Sequence, residues 1–320
     1  MPLKVSVVTP SYNQASFLEE TMLSVLSQDY EPIEYIVIDG GSEDRSVEII
    51  RKYSGRLAYW ISESDSGQSD AINKGWSGCK GDIICYLNSD DYFLPGAIRT
   101  AVKAFEENPR AGLICGRANA VFEDGQFLRT CYPRALGQEM LEHLVGLPQP
   151  SVFLRKRVLE RVGLLDPALH LVFDADFFLR VLGNFEAVCL SQSLSCMRRH
   201  ATAKSVAQGT HFAGEVIRLA ERVASQPDRY PRFHIEPARV LSAGYEVAAH
   251  FSYVHGDYAS ALRHLKRSWG LSGAHRRRIV CEELPRLLLR ALVGSQRYLW
   301  LSRYAGSWND GWGARKNHRL

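Results

Sequence analysis

Apolar residues in the first half of the chain fall into short runs separated by segments of helical period. KVSVVT (4–9), EYIVID (34–39), LAYWIS (57–62) and DIICYLN (82–88) read as buried strands. Near 16–28, 43–53, 68–79 and 95–107 the apolar positions recur every three or four residues, which predicts helices. In the first of these, Leu18, Met22, Val25 and Leu26 share a face from which Glu19, Glu20 and Ser24 are absent. The β-α-β-α alternation predicts a parallel sheet covered on both faces.

A strand at 112–122 runs into Glu123-Asp124-Gly125-Gln126, and the Asp-Gly dipeptide between apolar stretches predicts a hairpin. QPSVFLR (149–155) reads as a strand, 156–163 and 174–183 as helices, and FEAVCL and SLSCMRR as two short strands. Beyond residue 205 the strand signals stop. The segment 248–269 breaks at Gly256-Asp257 and resembles one tetratricopeptide unit; one copy predicts a helical hairpin rather than a repeat array. The expected domains are 1–205 and a helical region, 206–320.

With 320 residues, 46% apolar and 23% charged, the chain can bury a sizeable core. Seven cysteines, odd in number and without a C-x-x-C pair, read as core residues, which argues against a disulfide or zinc framework and for a reducing cytoplasm. Met1-Pro2-Leu3-Lys4 leads directly into a strand, so no signal peptide is expected, and no apolar run reaches the ~18 residues of a membrane span. Charge changes the picture more. Residues 261–320 hold 13 Lys and Arg against 3 Asp and Glu, while the preceding 260 residues are net acidic. Either this basic tail meets an anionic surface or it is a solvated helical face.

Ligands of open α/β sheets bind beyond the carboxyl ends of the parallel strands. There this chain places Asp39-Gly40-Gly41-Ser42, Glu63-Ser64-Asp65, Asp70, and Asn88-Ser89-Asp90-Asp91. Neither glycine-rich phosphate loop, G-x-G-x-x-G or G-x-x-x-x-G-K, is present. Carboxylates without such a loop point to a divalent cation, Mg²⁺ or Mn²⁺, that meets phosphates in its place. Each piece alone also fits a plainer role. Asp39-Gly40-Gly41-Ser42 suits a helix-capping turn, Asp90-Asp91 suits charges before a Pro-initiated helix, and Asp70 suits an exposed polar face.

Five motifs in order, VSVVTPSYNQASFLEETMLSVLSQDY, IVIDGGSEDRS, DSGQSDAINKG, GDIICYLNSDDYFLPGA, and QPSVFLRKRVLERVGLLD with FDADFFLR, resemble the family 2 glycosyltransferases across roughly residues 3–205. The resemblance implies a GT-A fold, Rossmann-like and mostly parallel, flanked by helices and here extended by C-terminal α-helices. It implies a nucleotide-sugar donor, a UDP-sugar foremost, and a saccharide or lipid-linked acceptor, with no nucleic acid. Asp39, Pro10 and Tyr12 match the region around the base, where Tyr12 either stacks or packs. Asp70 and Asn73 match positions lining the nucleoside and sugar. Asn88-Ser89-Asp90-Asp91 matches the D-x-D-type motif, with Asn88 in place of the first acid. Asp90 is then the metal ligand, Asp91 supports or shares that role, and His200 completes it. Arg198 of Arg198-Arg199-His200 is expected on phosphate, and Gln149-Pro150-Ser151 beside the acceptor.

The resemblance further implies inversion in one displacement, with the general base in Asp174-Ala175-Asp176. Two residues apart on a helix lie ~200° apart around its axis, so both carboxylates cannot face one site. Asp174 matches the base position and Asp176 a supporting one; an N-cap is the plainer role for Asp174. Two other classes compete with this reading. A non-catalytic GT-A module recruiting partners through its helical tail would not need a base, and a nucleotidyltransferase would carry a glycine-rich, lysine-bearing first loop.

Overall fold

The computed structural model describes residues 2–133, 136–144, 146–200, 202–204 and 209–271. The basic segment beyond 272 lies outside the described residues. The chain divides into two compact units, the first built from Met1–Ala207 together with Gln226–His234.

In the first unit β1 (Val5–Ser11), β2 (Ile33–Asp39), β3 (Tyr59–Ser62) and β4 (Ile83–Tyr86) pair in parallel, in the order β3-β2-β1-β4. The sheet continues through β8 (Val152–Arg155), β6 (Ala111–Phe122), β9 (Glu186–Arg199) and the two-residue β5 (Tyr92–Phe93). Strand β8 is antiparallel to both neighbours, so the second half of the sheet is mixed. The expected hairpin forms: Gly125 adopts φ +83, and β7 (Phe127–Cys131) returns antiparallel to β6.

Helices α1 (Ala15–Leu26), α2 (Ser46–Tyr53) and α4 (Ala97–Glu107) cover one face. Leu18, Met22, Ile50, Ile98 and Phe105 bury there against Val5, Val7, Val37 and Ile83. On the other face α3 (Gln68–Gly78) approaches β1 closely at Gly75, where a Cβ would lie 2.5 Å from Val8 Cγ1. Trp76 of α3 packs on Phe177 of α6 (Phe173–Leu182), their ring centroids 5.2 Å apart. The short α5 (Val158–Val162) follows β8.

Two features differ from the sequence reading. The two short strands after α6 form one strand, β9, whose register slips where Cys115↔Cys189 gives way to Arg117↔Ser193. The break read from the sequence is that irregularity. Instead of one clean boundary near 205, the segment Gln226–His234 returns to the first unit. It is held there because Asn184 Nδ2 donates to Arg229 O (2.8 Å) and Arg232 N–H to Gly183 O (2.9 Å), both at the end of α6.

The second unit contains α7 (Gly209–Ser225), α8 (Pro237–Val254) and α9 (Tyr258–Leu271). Gly256, at φ +83, makes the turn of the expected helical hairpin, and Ala249, Tyr253, Ala261 and Leu265 form its core. Among the described residues no helix is long and apolar enough to cross a membrane.

Candidate active site

Parallel pairing brings the ends of β1, β2 and β3 to one level, in the register Ser11↔Asp39↔Ser62. Asp39 is fully buried and accepts four hydrogen bonds: from the Gly41 and Ser42 N–H groups (3.2 and 2.9 Å), Ser42 Oγ (2.6 Å) and Ser62 Oγ (2.7 Å). Expected at the base, it is thus the organiser of the loop after β2. Ser42 Oγ also accepts the N–H of Asn13, tying that loop to the one after β1. Pro10 is buried in β1, while Tyr12 projects outward, 61% exposed.

Asp70, in the first turn of α3, accepts the Ser66 N–H (3.1 Å), as suits a carboxylate at a helix start. Asn73, expected beside the nucleoside, clamps a distant loop: its Nδ2 donates to Leu165 O (2.9 Å) and its Oδ1 accepts Leu165 N–H (3.0 Å).

The turn after β4 carries the central carboxylates. Strand β5 pairs antiparallel with β9, Tyr92 opposite Cys196, which draws Arg198 and His200 over Asp90 and Asp91. Asp90 Oδ2 lies 3.0 Å from His200 Nε2; the other ring nitrogen, Nδ1, is 2.8 Å from Thr202 Oγ1. Phe17 packs on the imidazole with centroids 4.7 Å apart. Asp91, grouped with Asp90 as a metal ligand from the sequence, points into the protein instead. It accepts the Arg198 N–H (3.0 Å) and an Asn88 Nδ2–H (3.3 Å). Burial first, then the Asp90 charge, push its carboxyl well above the usual range.

Arg198, expected on phosphate, is held by protein groups beside the turn. Its buried guanidinium donates to Glu20 Oε2 (2.6 Å) and to Asp90 O (3.2 Å), and lies 4.9 and 5.2 Å from the Phe17 and Tyr92 ring centroids. Thr21 Oγ1 lies within hydrogen-bonding distance of Ser89 O and Asp91 O, 2.9 and 2.6 Å away. One stripe of α1, Phe17, Glu20 and Thr21, thus supports the turn. Sequence reading missed it because it sought only the apolar face; their i, i+3, i+4 spacing was the available signal.

Asp174 lies in the first turn of α6, part-exposed, with Oδ1 accepting the Ala175 N–H (2.8 Å). Burial pushes its carboxyl up to about 6, against the opposing pull of that N–H and of Lys204. Asp176 faces the interior, paired to Arg180 Nε at 2.8 Å with both side chains buried. Arg180 also donates to Val162 O and to Leu164 O (2.9 Å), so Asp176 anchors the loop that Asn73 clamps. Tyr86, the last residue of β4, packs on Phe173 beside Asp174, with ring centroids 6.5 Å apart. Its phenol is pushed up by burial, then by Asp174, then by Asp91.

Asp90 and His200 offer one oxygen and one nitrogen donor side by side. Among the described residues no group of three or more His, Cys, Asp or Glu is placed to hold a metal. A two-donor pair suits Mg²⁺ or Mn²⁺, which take substrate phosphates and water as their other ligands.

The model of glycosyl transferase family 2 matches residues 6–163. An uncharacterized glycosyltransferase of Mycobacterium tuberculosis is 31% identical over 195 residues, 60% of this chain and 72% of the relative. Another, from Haemophilus influenzae, is 25% identical over 74% of this chain and 83% of its own. Among solved structures, S. aureus TarS 1–349 in complex with UDP superposes with a TM-score of 0.62 at 17% identity, covering 96% of this chain and 93% of that one. The mannosyltransferase PcManGT of Pyrobaculum calidifontis, in complex with GDP-Man and Mn²⁺, gives 0.55 at 17% identity, covering 94% and 88%.

Proposed function

The chain belongs to glycosyl transferase family 2 and is a glycosyltransferase, and from this premise we propose that it moves a sugar, with inversion, from a nucleotide-diphosphate donor to an acceptor hydroxyl. The observation that carries the reading is that Tyr86, at the end of the strand leading into the Asp90-Asp91 turn, packs on Phe173, the neighbour of Asp174, with ring centroids 6.5 Å apart. A base and a diphosphate-binding turn beside one strand end suit a single in-line displacement.

Asp174 takes the proton of the acceptor hydroxyl as that oxygen attacks the anomeric carbon. Its raised pKa, about 6, makes it a better proton acceptor than an ordinary carboxylate while leaving it ionised at neutral pH. Asp90 and His200 would hold the divalent ion, which when bound would supply positive charge to the departing diphosphate. Arg198, Glu20 and Thr21 keep the turn fixed. The loop that Asp39 organises, with Tyr12 exposed beside it, forms the base subsite. The donor class proposed is a UDP-sugar, which the TarS complexes with UDP and UDP-GlcNAc support.

The acceptor proposed is a saccharide in polysaccharide or glycan assembly, carried on a lipid and met at an anionic membrane surface by the basic segment 261–320. Vesicle sedimentation tests the membrane part, with binding expected to require anionic lipid and to weaken with salt. The transfer reading is tested by incubating the protein with a panel of nucleotide sugars and Mn²⁺ and following donor hydrolysis. Hydrolysis of a UDP-sugar that stops in Asp90→Ala is expected; no turnover of any nucleotide sugar would overturn it.

A further inference from the structure

Beside the carboxylate turn three side-chain amides form a chain whose orientation is fixed from one end. The Tyr86 carbonyl can only accept, so the Gln149 atom 2.9 Å from it is Nε2. Gln149 Oε1 therefore faces Asn88 at 3.1 Å, and the Asn88 atom meeting it is Nδ2. That Nδ2 also lies 3.3 Å from Asp91 Oδ2. Asn88 Oδ1 is left to accept from Gln68 Nε2, at 2.7 Å. The relay joins the start of α3, the turn after β4 and the segment entering β8.

Position 88 thus requires two donations on one side, towards Asp91 Oδ2 and Gln149 Oε1. A carboxylate there has none to give, and it would set a further negative charge beside Asp90. Gln149 cannot turn its amide to help without withdrawing its N–H from Tyr86 O, and it is buried. We propose that Asn88 is a positioning residue, set by Gln149 and Gln68, that holds Asp91 and so the turn bearing Asp90, and that an acid at this position breaks the site instead of completing its carboxylate motif. The inference rests on reading this turn as the place where the donor diphosphate binds.

Wild type, Asn88→Asp and the exchange Asn88→Asp/Asp91→Asn distinguish the possibilities, each measured by thermal melting and by calorimetric titration of UDP with and without Mn²⁺. The single variant is expected to melt lower and to bind UDP with Mn²⁺ about 10–100-fold more weakly, the usual effect of losing a group that orients a ligand. The exchange restores a donor–acceptor match between positions 88 and 91 but not towards Gln149 Oε1, while the amide introduced at position 91 keeps an oxygen for the Arg198 N–H, so its melting midpoint should recover in part. Asn88→Asp with an unchanged midpoint and equal or tighter Mn²⁺-dependent binding would overturn the proposal. An exchange variant that melts no higher than the single one would do the same. A lowered midpoint with unchanged UDP affinity overturns the positioning role and leaves Asn88 a stabilising residue only. If wild type binds no UDP, the donor reading fails, and the melting comparison still decides the relay.

Discussion

Strands β2 and β4 flank β1 and lead to carboxylates in opposite settings. Asp39, at the end of β2, is wholly enclosed by four donors from its own loop and from β3. Asp90, in the turn after β4, keeps its side chain 21% exposed beside His200, its one side-chain partner among the described residues. Each donor to a charged acceptor contributes about 1.5–3 kcal/mol, so Asp39 has little left to offer a ligand and much to lose on removal. The duty of a strand-end acid follows from how many donors the protein has already given it. The same contrast recurs within one helix, where Asp176 is held by Arg180 and Asp174 accepts backbone N–H groups of its own turn.

The largest effect expected from this contrast is at Asp174. Asp174→Asn should lower turnover about 10²–10⁴-fold, the usual contribution of a general base, with UDP affinity nearly unchanged by calorimetry. A base must be deprotonated to act. Wild-type kcat/KM should therefore rise with pH through about 6 and level off above it. A profile that stays flat from about pH 5 to about pH 8, the range over which a general base of this pKa must titrate, would show that another group takes the proton.

Asp176→Asn is expected to act on the fold. Removing the charge opposite buried Arg180 leaves a cation uncompensated, at a cost of about 3–5 kcal/mol. Denaturant unfolding should show that loss, and the folded fraction should retain its pH profile. Should Asp176→Asn abolish turnover at unchanged stability while Asp174→Asn does not, the two roles are reversed.

At Asp90 the effect should be confined to ligand binding. Asp90→Ala removes the exposed member of the Asp90–His200 pair, and Mn²⁺ should then improve UDP binding about 10–100-fold less than it does in wild type. Identical Mn²⁺ dependence in the variant would remove Asp90 from the cation site.

The parallel half of the sheet was legible in the sequence because its strands are apolar runs between strongly periodic helices, and the motifs at their ends imply the GT-A fold that the chain has. The second half was less so. Strand β5 is two residues long, too short for any period, yet its pairing with β9 carries Arg198 and His200 to the turn. Residue type does not reveal partners distant in sequence. Arg198 meets Glu20, 178 positions earlier, and Asn73 meets Leu165. The sequence shows Asn88 only as standing in place of the first acid, since Gln149 is 61 residues away.

The smallest effect is the most direct measure of the contrast between the two strand ends. Ser62 gives Asp39 one of its four hydrogen bonds, from the register position opposite on β3. In Ser62→Ala three donors remain, so the carboxylate stays satisfied and the loss should lie at the lower end of the range for a donor to a charged acceptor, about 1.5 kcal/mol. The cost should appear as a lower midpoint of denaturation with the Mn²⁺ dependence of UDP binding untouched, because the Asp90–His200 pair lies in the turn after β4. If Ser62→Ala weakened the metal-dependent binding as much as Asp90→Ala does, the two carboxylates would belong to one coupled site, and counting donors would no longer separate a loop organiser from a ligand.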